Sequence, residues 1–305
     1  MRHDEPAGPR VLSGDARLLD ALRTADGTGC VHSVFTRVIN LLTWQGTLIA
    51  LASPEAGDAP RTLVVDVADW TRYGPVAGRS VAFAPGTLTL PGPGRPLRLK
   101  TSGARPWYPE TPSLAHLGPG GFAAAAAALD RLVRAHGTRG GMLGAHADAG
   151  PMERAVVQAL HAGRSTLTAA ILDGDESGMH RGVLALLGLG PGLTPAGDDF
   201  LAGLALVAAL PGSALTGFGP VLRRALVAHP ARTTDLSRAT LAEAAEGRVR
   251  GELIDVLRQL APGPPPWELH APVRRALAVG HTSGSDTLSG LSAGLHLEEE
   301  LRGSL

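Results

Sequence analysis

Two adjacent aspartates, Asp198 and Asp199, stand where a glycine-rich turn meets an apolar run. The turn, LGLGPGLTPAG (187–197), holds four glycines and two prolines, and the run that follows is FLAGLALVAAL. Neighbouring side chains on a helix point about 100° apart, so the two carboxyls cannot serve the same contact. A helix that is apolar nearly all round is buried, and a second aspartate on it then needs a buried partner. That partner is a metal ion, a cationic ligand or a hydrogen-bonding network.

The turn itself has the composition of an anion-binding loop. Thr194 can cap a helix that runs from Pro195 to Leu210, because proline is tolerated at the first helical position. Gly188, Gly190 and Gly192 would then lead into a helix N-terminus, where free N–H groups attract phosphate or carboxylate. The segment lacks the lysine of a P-loop and the distant acidic residue of a Rossmann fingerprint. The alternative is a tight turn with acidic residues at the helix start.

A second segment, GHTSGSDTLSGLSAG (280–294), has a similar organisation. Ser283 or Ser285 can cap a helix that begins near Asp286. Gly290, Ala293 and Gly294 fall on the same face as Asp286, and such small residues allow another helix to approach closely. Our hypothesis is that this neighbour is the helix that begins at Thr194 and carries Gly203.

If the two helices pack in this way, their N-termini surround one pocket. It would contain Asp198 or Asp199 with Asp286 and the flanking His281, Thr194 and Ser283. The alternative for His281 is an ordinary capping or surface imidazole.

A third segment, HPARTTDLSRATLAEAAEG (229–247), places polar side chains at another helix start. Arg232 could bind a carboxylate or phosphate through its forked guanidinium, and the hydroxyls of Thr234 and Ser237 could orient it. The alternative is a capped helix with a solvated arginine.

The elements that must position these groups change in kind along the chain. Short runs rich in β-branched residues, separated by Gly, Pro and Asp, fill the first third and predict strands, and helical spacing dominates from residue 120 onward. We therefore predict an α+β fold, with a small β-rich domain over 1–110 and a mainly α-helical domain over 111–305 that carries the site. The turn-rich segment 101–113 is the predicted boundary, and PGPPPWE (262–268) is predicted to be a rigid connector.

Composition excludes several classes of partner. Lys and Arg total 28 and so do Asp and Glu, so no nucleic acid is expected. The single cysteine, Cys30, leaves no internal disulfide and fits a reducing compartment. No stretch has the length and purity of a signal core or a membrane span, so we expect a cytoplasmic protein with no membrane contact.

The motifs GLGPGLTPAGDDFLAG, RTTDLSRATLAEAAEG and GHTSGSDTLSGL, in this order after a β-rich region, resemble the family that includes the AllH subunit of oxamate carbamoyltransferase. The resemblance implies an enzyme with several different subunits that exchanges oxalurate and phosphate with oxamate and carbamoyl phosphate, the last step of anaerobic allantoin catabolism. It leaves the substrate of this chain open. The chain lacks the Ser-Thr-Arg-Thr phosphate motif of aspartate and ornithine carbamoyltransferases, so their fold is not expected.

These patterns, taken with the resemblance, predict a carbamoyltransferase or a subunit of one. Its partners are a small anionic substrate and other carbamoyltransferase subunits. The phosphate would bind at the helix terminus and the oxamate carboxylate at Arg232, while hydrogen-bond donors stabilise the developing oxyanion. Catalytic roles are assigned to Asp198, Asp199, His281 and Asp286, and substrate-binding roles to Gly190, Gly192, Thr194, Arg232, Thr234, Ser237, Ser283 and Gly284.

Two alternatives remain at this point. SGSDTLSGLSAG resembles the aspartate-bearing helix of the ADP-ribosylglycohydrolases, which implies a hydrolase whose Asp198, Asp199 and Asp286 hold Mg²⁺. Such an enzyme would turn over alone and lose activity with a chelator. The other alternative is a non-catalytic subunit that binds an anion and completes the active site of a partner. No metal ligand and no cofactor is assigned outside the hydrolase hypothesis.

Overall fold

The computed structural model describes residues 8–303 except 93, 119, 263, 264 and 266. The chain divides into two compact units, Met1–Pro109 and Glu110–Leu305. The first unit has nine described strands and a short helix, and the second has nine described helices of eight residues or more. This confirms the predicted fold class, a β-rich N-terminal region followed by a mainly α-helical one.

The strands of the first unit form a single curved sheet with one helix. Their bounds are β1 Val11–Asp15, β2 Gly27–Val34, β3 Val38–Leu42, β4 Leu48–Ala52, β5 Thr62–Val65, β6 Ser80–Ala84, β7 Thr87–Leu90, β8 Leu97–Lys100 and β9 Arg105–Trp107, with α1 (Ala16–Leu22) after β1. The order is β8-β7-β6-β2-β3-β4-β5-β1-β9, and only the described pairs β4–β5 and β1–β9 are parallel. Alternation sets the buried face, since Val81 and Phe83 of β6 are buried between exposed neighbours.

The sequence pattern missed three elements of this unit, β1, α1 and β9. β1 contains a glycine, and β9 is three residues long with a proline at its centre, so neither has strong intrinsic strand propensity. Pairing with strands remote in sequence holds them: β1 pairs with β5, and β9 pairs with β1. β9 lies inside the segment that we predicted as a boundary.

The second unit is mainly α-helical. Its helices are α2 Gly121–His136, α3 Pro151–Leu172, α4 Glu176–Leu186, α5 Ala196–Ala208, α6 Phe218–Ala228, α7 Asp235–Ala244, α8 Gly251–Leu260, α9 His270–Leu277 and α10 Ser283–Gly303. α5 lies at the centre, because every residue from Ala196 to Val207 is buried. It packs along α10, which is buried over most of its own first four turns.

Several finer predictions about helix bounds need correction. α5 begins at Ala196 with Pro195 as its N-cap residue, so Thr194 does not cap it. α10 begins at Ser283, three residues before Asp286. The predicted connector 262–268 lies partly outside the described residues. No helix in the described part of the chain is long and apolar enough to span a membrane.

Candidate functional site

The predicted packing of the two small-residue helices is confirmed. A Cβ atom built on Gly290 of α10 would lie 2.0 Å from the carbonyl oxygen of Phe200, and one on Gly203 of α5 would lie 2.0 Å from that of Thr287. At Gly294 the neighbour is the Val207 side chain, at 2.7 Å. Glycine is therefore required at the crossing, where the two backbones are nearly in contact.

This crossing brings the N-terminal ends of α5 and α10 together. Thr194, two residues before α5, and Ser283, the first residue of α10, share a hydrogen bond of 2.8 Å between their hydroxyl oxygens. Thr194 thus joins the two helices instead of capping its own. Residues 89 positions apart in the sequence meet at this point.

Asp199 lies at the junction with an unsatisfied oxygen. The residue is 8% exposed, and its Oδ2 atom is buried without a hydrogen-bond partner. Burial raises the pKa of this carboxyl well above its usual value, and the charges of Asp286 and Asp198 raise it further. The hydroxyls of Ser283 and Thr194 lie close enough to oppose that rise in pKa.

Asp286 is fully buried on the facing helix. Its Oδ1 atom accepts a hydrogen bond of 2.7 Å from the backbone N–H of Met142, while its Oδ2 atom has no partner. Burial raises the pKa of this carboxyl to about 6, against the lowering effect of the Met142 N–H and the Thr282 hydroxyl. Two buried acceptor atoms, one on each helix, are therefore left unsatisfied, which native proteins rarely tolerate without a functional reason.

The sequence analysis missed the segment that covers Asp286, residues 137–144. Besides Met142, this segment donates the Thr138 N–H to Ser285 Oγ at 2.8 Å. Gly141 lies so close to Asp286 that a Cβ atom there would be 2.3 Å from Oδ1. The available signal was the glycine cluster in GTRGGMLG, which has no helical periodicity and separates two helices.

Asp198 has a different role from its neighbour. Its Oδ1 atom accepts the Gly188 N–H at 2.8 Å, and its Oδ2 atom accepts the hydroxyl of Thr233. Burial raises the pKa of Asp198, and these two donors and the Ser237 hydroxyl oppose the rise. Both oxygens are satisfied within the protein, so Asp198 fastens the glycine-rich turn and the start of α7 to α5.

Fewer N–H groups of the predicted anion-binding loop are free than the sequence suggested. The N–H of Gly188 is bonded to Asp198, and that of Gly197 donates to the Leu189 carbonyl at 2.9 Å. Neither is available to a ligand. Gly190 and Gly192 have positive φ values of 126° and 91°, and within the described residues their N–H groups have no protein acceptor. These two amides therefore remain without an acceptor in the described structure, beside the start of α5.

The third predicted segment holds the loop in place. Thr234 caps α7, accepting the Ser237 N–H at 3.1 Å, and donates its own hydroxyl to the Leu193 carbonyl at 2.6 Å. Ser237 is buried and lies 3.4 Å from the same carbonyl oxygen. Arg232 is exposed and donates to the Leu184 carbonyl at 3.0 Å, so the structure shows a backbone contact where an anion contact was predicted.

Two further predicted residues lie apart from the junction. His281 is exposed, two residues before α10. Gly284 is a packing residue, since a Cβ atom there would be 2.1 Å from the Ala276 carbonyl oxygen of α9. The structure therefore brings together Thr194, Asp199, Ser283 and Asp286.

Among the described residues, no three or more His, Cys, Asp or Glu side chains are grouped so that they could hold a metal ion. The magnesium-hydrolase alternative therefore gains no support from the arrangement of the aspartates. Instead, the junction offers two buried carboxyls with free acceptor atoms, two hydroxyls and two backbone amides nearby in sequence. The chemistry of these groups suits a ligand that carries hydrogen-bond donors.

The fold and the junction define an α+β protein of two units, the second of which has a polar junction between two helix N-termini. Residues 10–106 match the N-terminal domain of the AllH family, and residues 186–295 match the oxamate carbamoyltransferase subunit AllH. The chain belongs to the AllH family, and so is related to a carbamoyltransferase subunit. The second match includes both aspartate motifs, whereas the segment 137–144 lies outside the two matched ranges. No solved structure matches the chain.

Proposed function

We propose that this protein is a subunit of a carbamoyltransferase and that it binds a small anionic substrate at the N-termini of α5 and α10. The observation that carries the proposal is the buried, unpartnered Oδ2 atom of Asp199 at the junction of the two helices. Such an atom costs stability in the free protein, and a ligand that supplies a donor removes that cost. The family description names oxamate, which is both a carboxylate and an amide.

The proposed reaction joins the amide nitrogen of oxamate to the carbonyl carbon of carbamoyl phosphate. The new C–N bond forms as the C–O bond to phosphate breaks, inorganic phosphate leaves, and the nitrogen loses one proton. That proton needs a base. Asp286, with a pKa near 6, is largely ionised at neutral pH and is still basic enough to accept it. No covalent intermediate on the protein is required.

The anionic end of the substrate is assigned to the free amides of Gly190 and Gly192. The positive end of the α5 dipole favours negative charge there. The anionic end does not bind beside Asp199, because the buried carboxyls repel a further negative charge in a low-dielectric site. His281 and Arg232, both exposed, are left to contact substrate or another subunit outside this junction.

The first test is calorimetric titration of the purified chain with oxamate and with carbamoyl phosphate. We expect saturable binding of oxamate by the wild type and weaker binding by Asp199→Asn. The matched control is Asp255→Asn on α8, which removes an exposed aspartate paired with Arg275 and should bind oxamate as the wild type does. Absence of oxamate binding by the wild type, or equal binding by Asp199→Asn, would contradict the proposal.

A further inference from the structure

We propose that the carboxyls of Asp199 and Asp286 bind the terminal NH₂ group of the substrate, so that the site selects a primary amide or carbamoyl group over molecules of the same shape without it. This inference rests on the proposed function. It assigns the nitrogen end of the ligand to a pair of side chains on facing helices.

The unpaired atoms carry the argument. Each carboxyl presents one oxygen, Oδ2, that is buried and has no hydrogen-bond partner. The Thr194–Ser283 pair shares one hydroxyl proton and has one left to donate towards Asp199, yet Oδ2 of Asp199 remains without a partner. A primary amide nitrogen carries two N–H donors and no strong acceptor, which matches two unpartnered acceptors carried by two helices packed against each other.

Electrostatic repulsion keeps the anionic end of the substrate away from the carboxyls of Asp199 and Asp286. Asp199 lies within the field of both Asp286 and Asp198, and all three are buried. A phosphate or carboxylate placed there would be one more negative charge in a site that holds no arginine or lysine partner among the contacts of these aspartates. A neutral NH₂ group brings donors without adding charge, so the two carboxyls accept it at little electrostatic cost.

Binding must also move a covering segment, since both Oδ2 atoms are inaccessible to solvent. Residues 137–144 cover Asp286. The Met142 N–H donates a hydrogen bond to Asp286, and the Thr138 N–H donates one to Ser285, the residue before Asp286 on α10. Gly140 and Gly144 have positive φ values of 105° and 92° within this segment. Glycines in that conformation allow the backbone to change direction with little steric hindrance.

The experiment compares oxamate with pyruvate and oxalate by calorimetry on the wild-type chain at neutral pH. Pyruvate replaces the NH₂ group with a methyl group of similar size, and oxalate replaces it with a negatively charged oxygen. We expect oxamate to bind at least about tenfold more tightly than either, since a site with buried acceptors rejects a ligand that leaves them unpaired. In Asp199→Asn and Asp286→Asn the ratio of oxamate to pyruvate affinity should fall towards one, whereas Asp255→Asn should retain it.

The outcomes separate this inference from the proposed function. Equal affinity for oxamate and pyruvate in the wild type would overturn the assignment of the NH₂ group and leave oxamate binding intact. An unchanged ratio in both Asn variants would also overturn it. Failure of the wild type to bind oxamate would overturn the proposed function as well. Since the comparison of ligands is made on the wild type, misfolding of a variant does not remove the test.

Discussion

Gly290→Ala tests whether the close crossing of α5 and α10 shapes the site. The added Cβ atom would lie 2.0 Å from the Phe200 carbonyl oxygen, and real Cβ atoms essentially never approach heavy atoms within 3.0 Å. The helices must therefore part by about 1 Å. Forcing an extra methyl group into a packed core costs about 1–3 kcal/mol. For a unit of this size, that lowers the melting temperature by about 2–4 °C for each kcal/mol.

The assay is thermal unfolding followed by the helical circular dichroism signal, which comes mainly from the second unit. Gly219→Ala in α6 is the matched control. There the new Cβ atom would meet only the end of the flexible Arg223 side chain, at 3.4 Å. Because alanine has a higher helix propensity than glycine, this variant should melt at or slightly above the wild-type temperature.

The same substitution should also weaken oxamate binding. Gly290 is one helical turn after Asp286, and Phe200 directly follows Asp199, so parting the helices at the crossing separates the two carboxyls. Calorimetry measures this effect at a temperature where the variant is still folded. If Gly290→Ala has the melting temperature and the oxamate affinity of the wild type, the two helices are not in close contact and our account of the site is wrong.

Three further substitutions give distinct results. Asp198→Ala should destabilise the protein by about 1–3 kcal/mol in urea unfolding, since it leaves the Gly188 N–H and the Thr233 hydroxyl unpaired; a change near zero would refute the bracing role. The pKa of Asp286 is raised from 3.8 to about 6, so its contribution to the free energy of unfolding is full below pH 3.8 and is lost as the pH rises through 6. The free energy of unfolding should fall by about 3 kcal/mol over this range. In Asp286→Asn this pH dependence should be absent. Glu299→Ala should cost about 1 kcal/mol because this carboxylate caps the N-terminus of α2, and unchanged urea unfolding would exclude that role.

Much of the second unit could be predicted from local pattern. Helical spacing from residue 120 onward correctly predicted a mainly α-helical second unit, and the small residues on the face of Asp286 correctly predicted a close helix partner. These features are encoded within one turn or one helix, so a single sequence reveals them. The bounds were less accurate, because Thr194 and Ser283 looked like caps but bond to each other across the helix pair.

The roles of the two adjacent aspartates could not be assigned in the same way. Helix geometry shows that Asp198 and Asp199 diverge, but it does not say which carboxyl meets donors from the protein. That depends on the Thr233 hydroxyl, 35 residues after Asp198, and on the Gly188 N–H, 10 residues before it. A carboxyl satisfied by such remote donors braces the fold, and one left without them is available to a ligand. In this chain, the distinction between a bracing aspartate and one proposed to bind a ligand therefore lies in tertiary contacts and not in the motif.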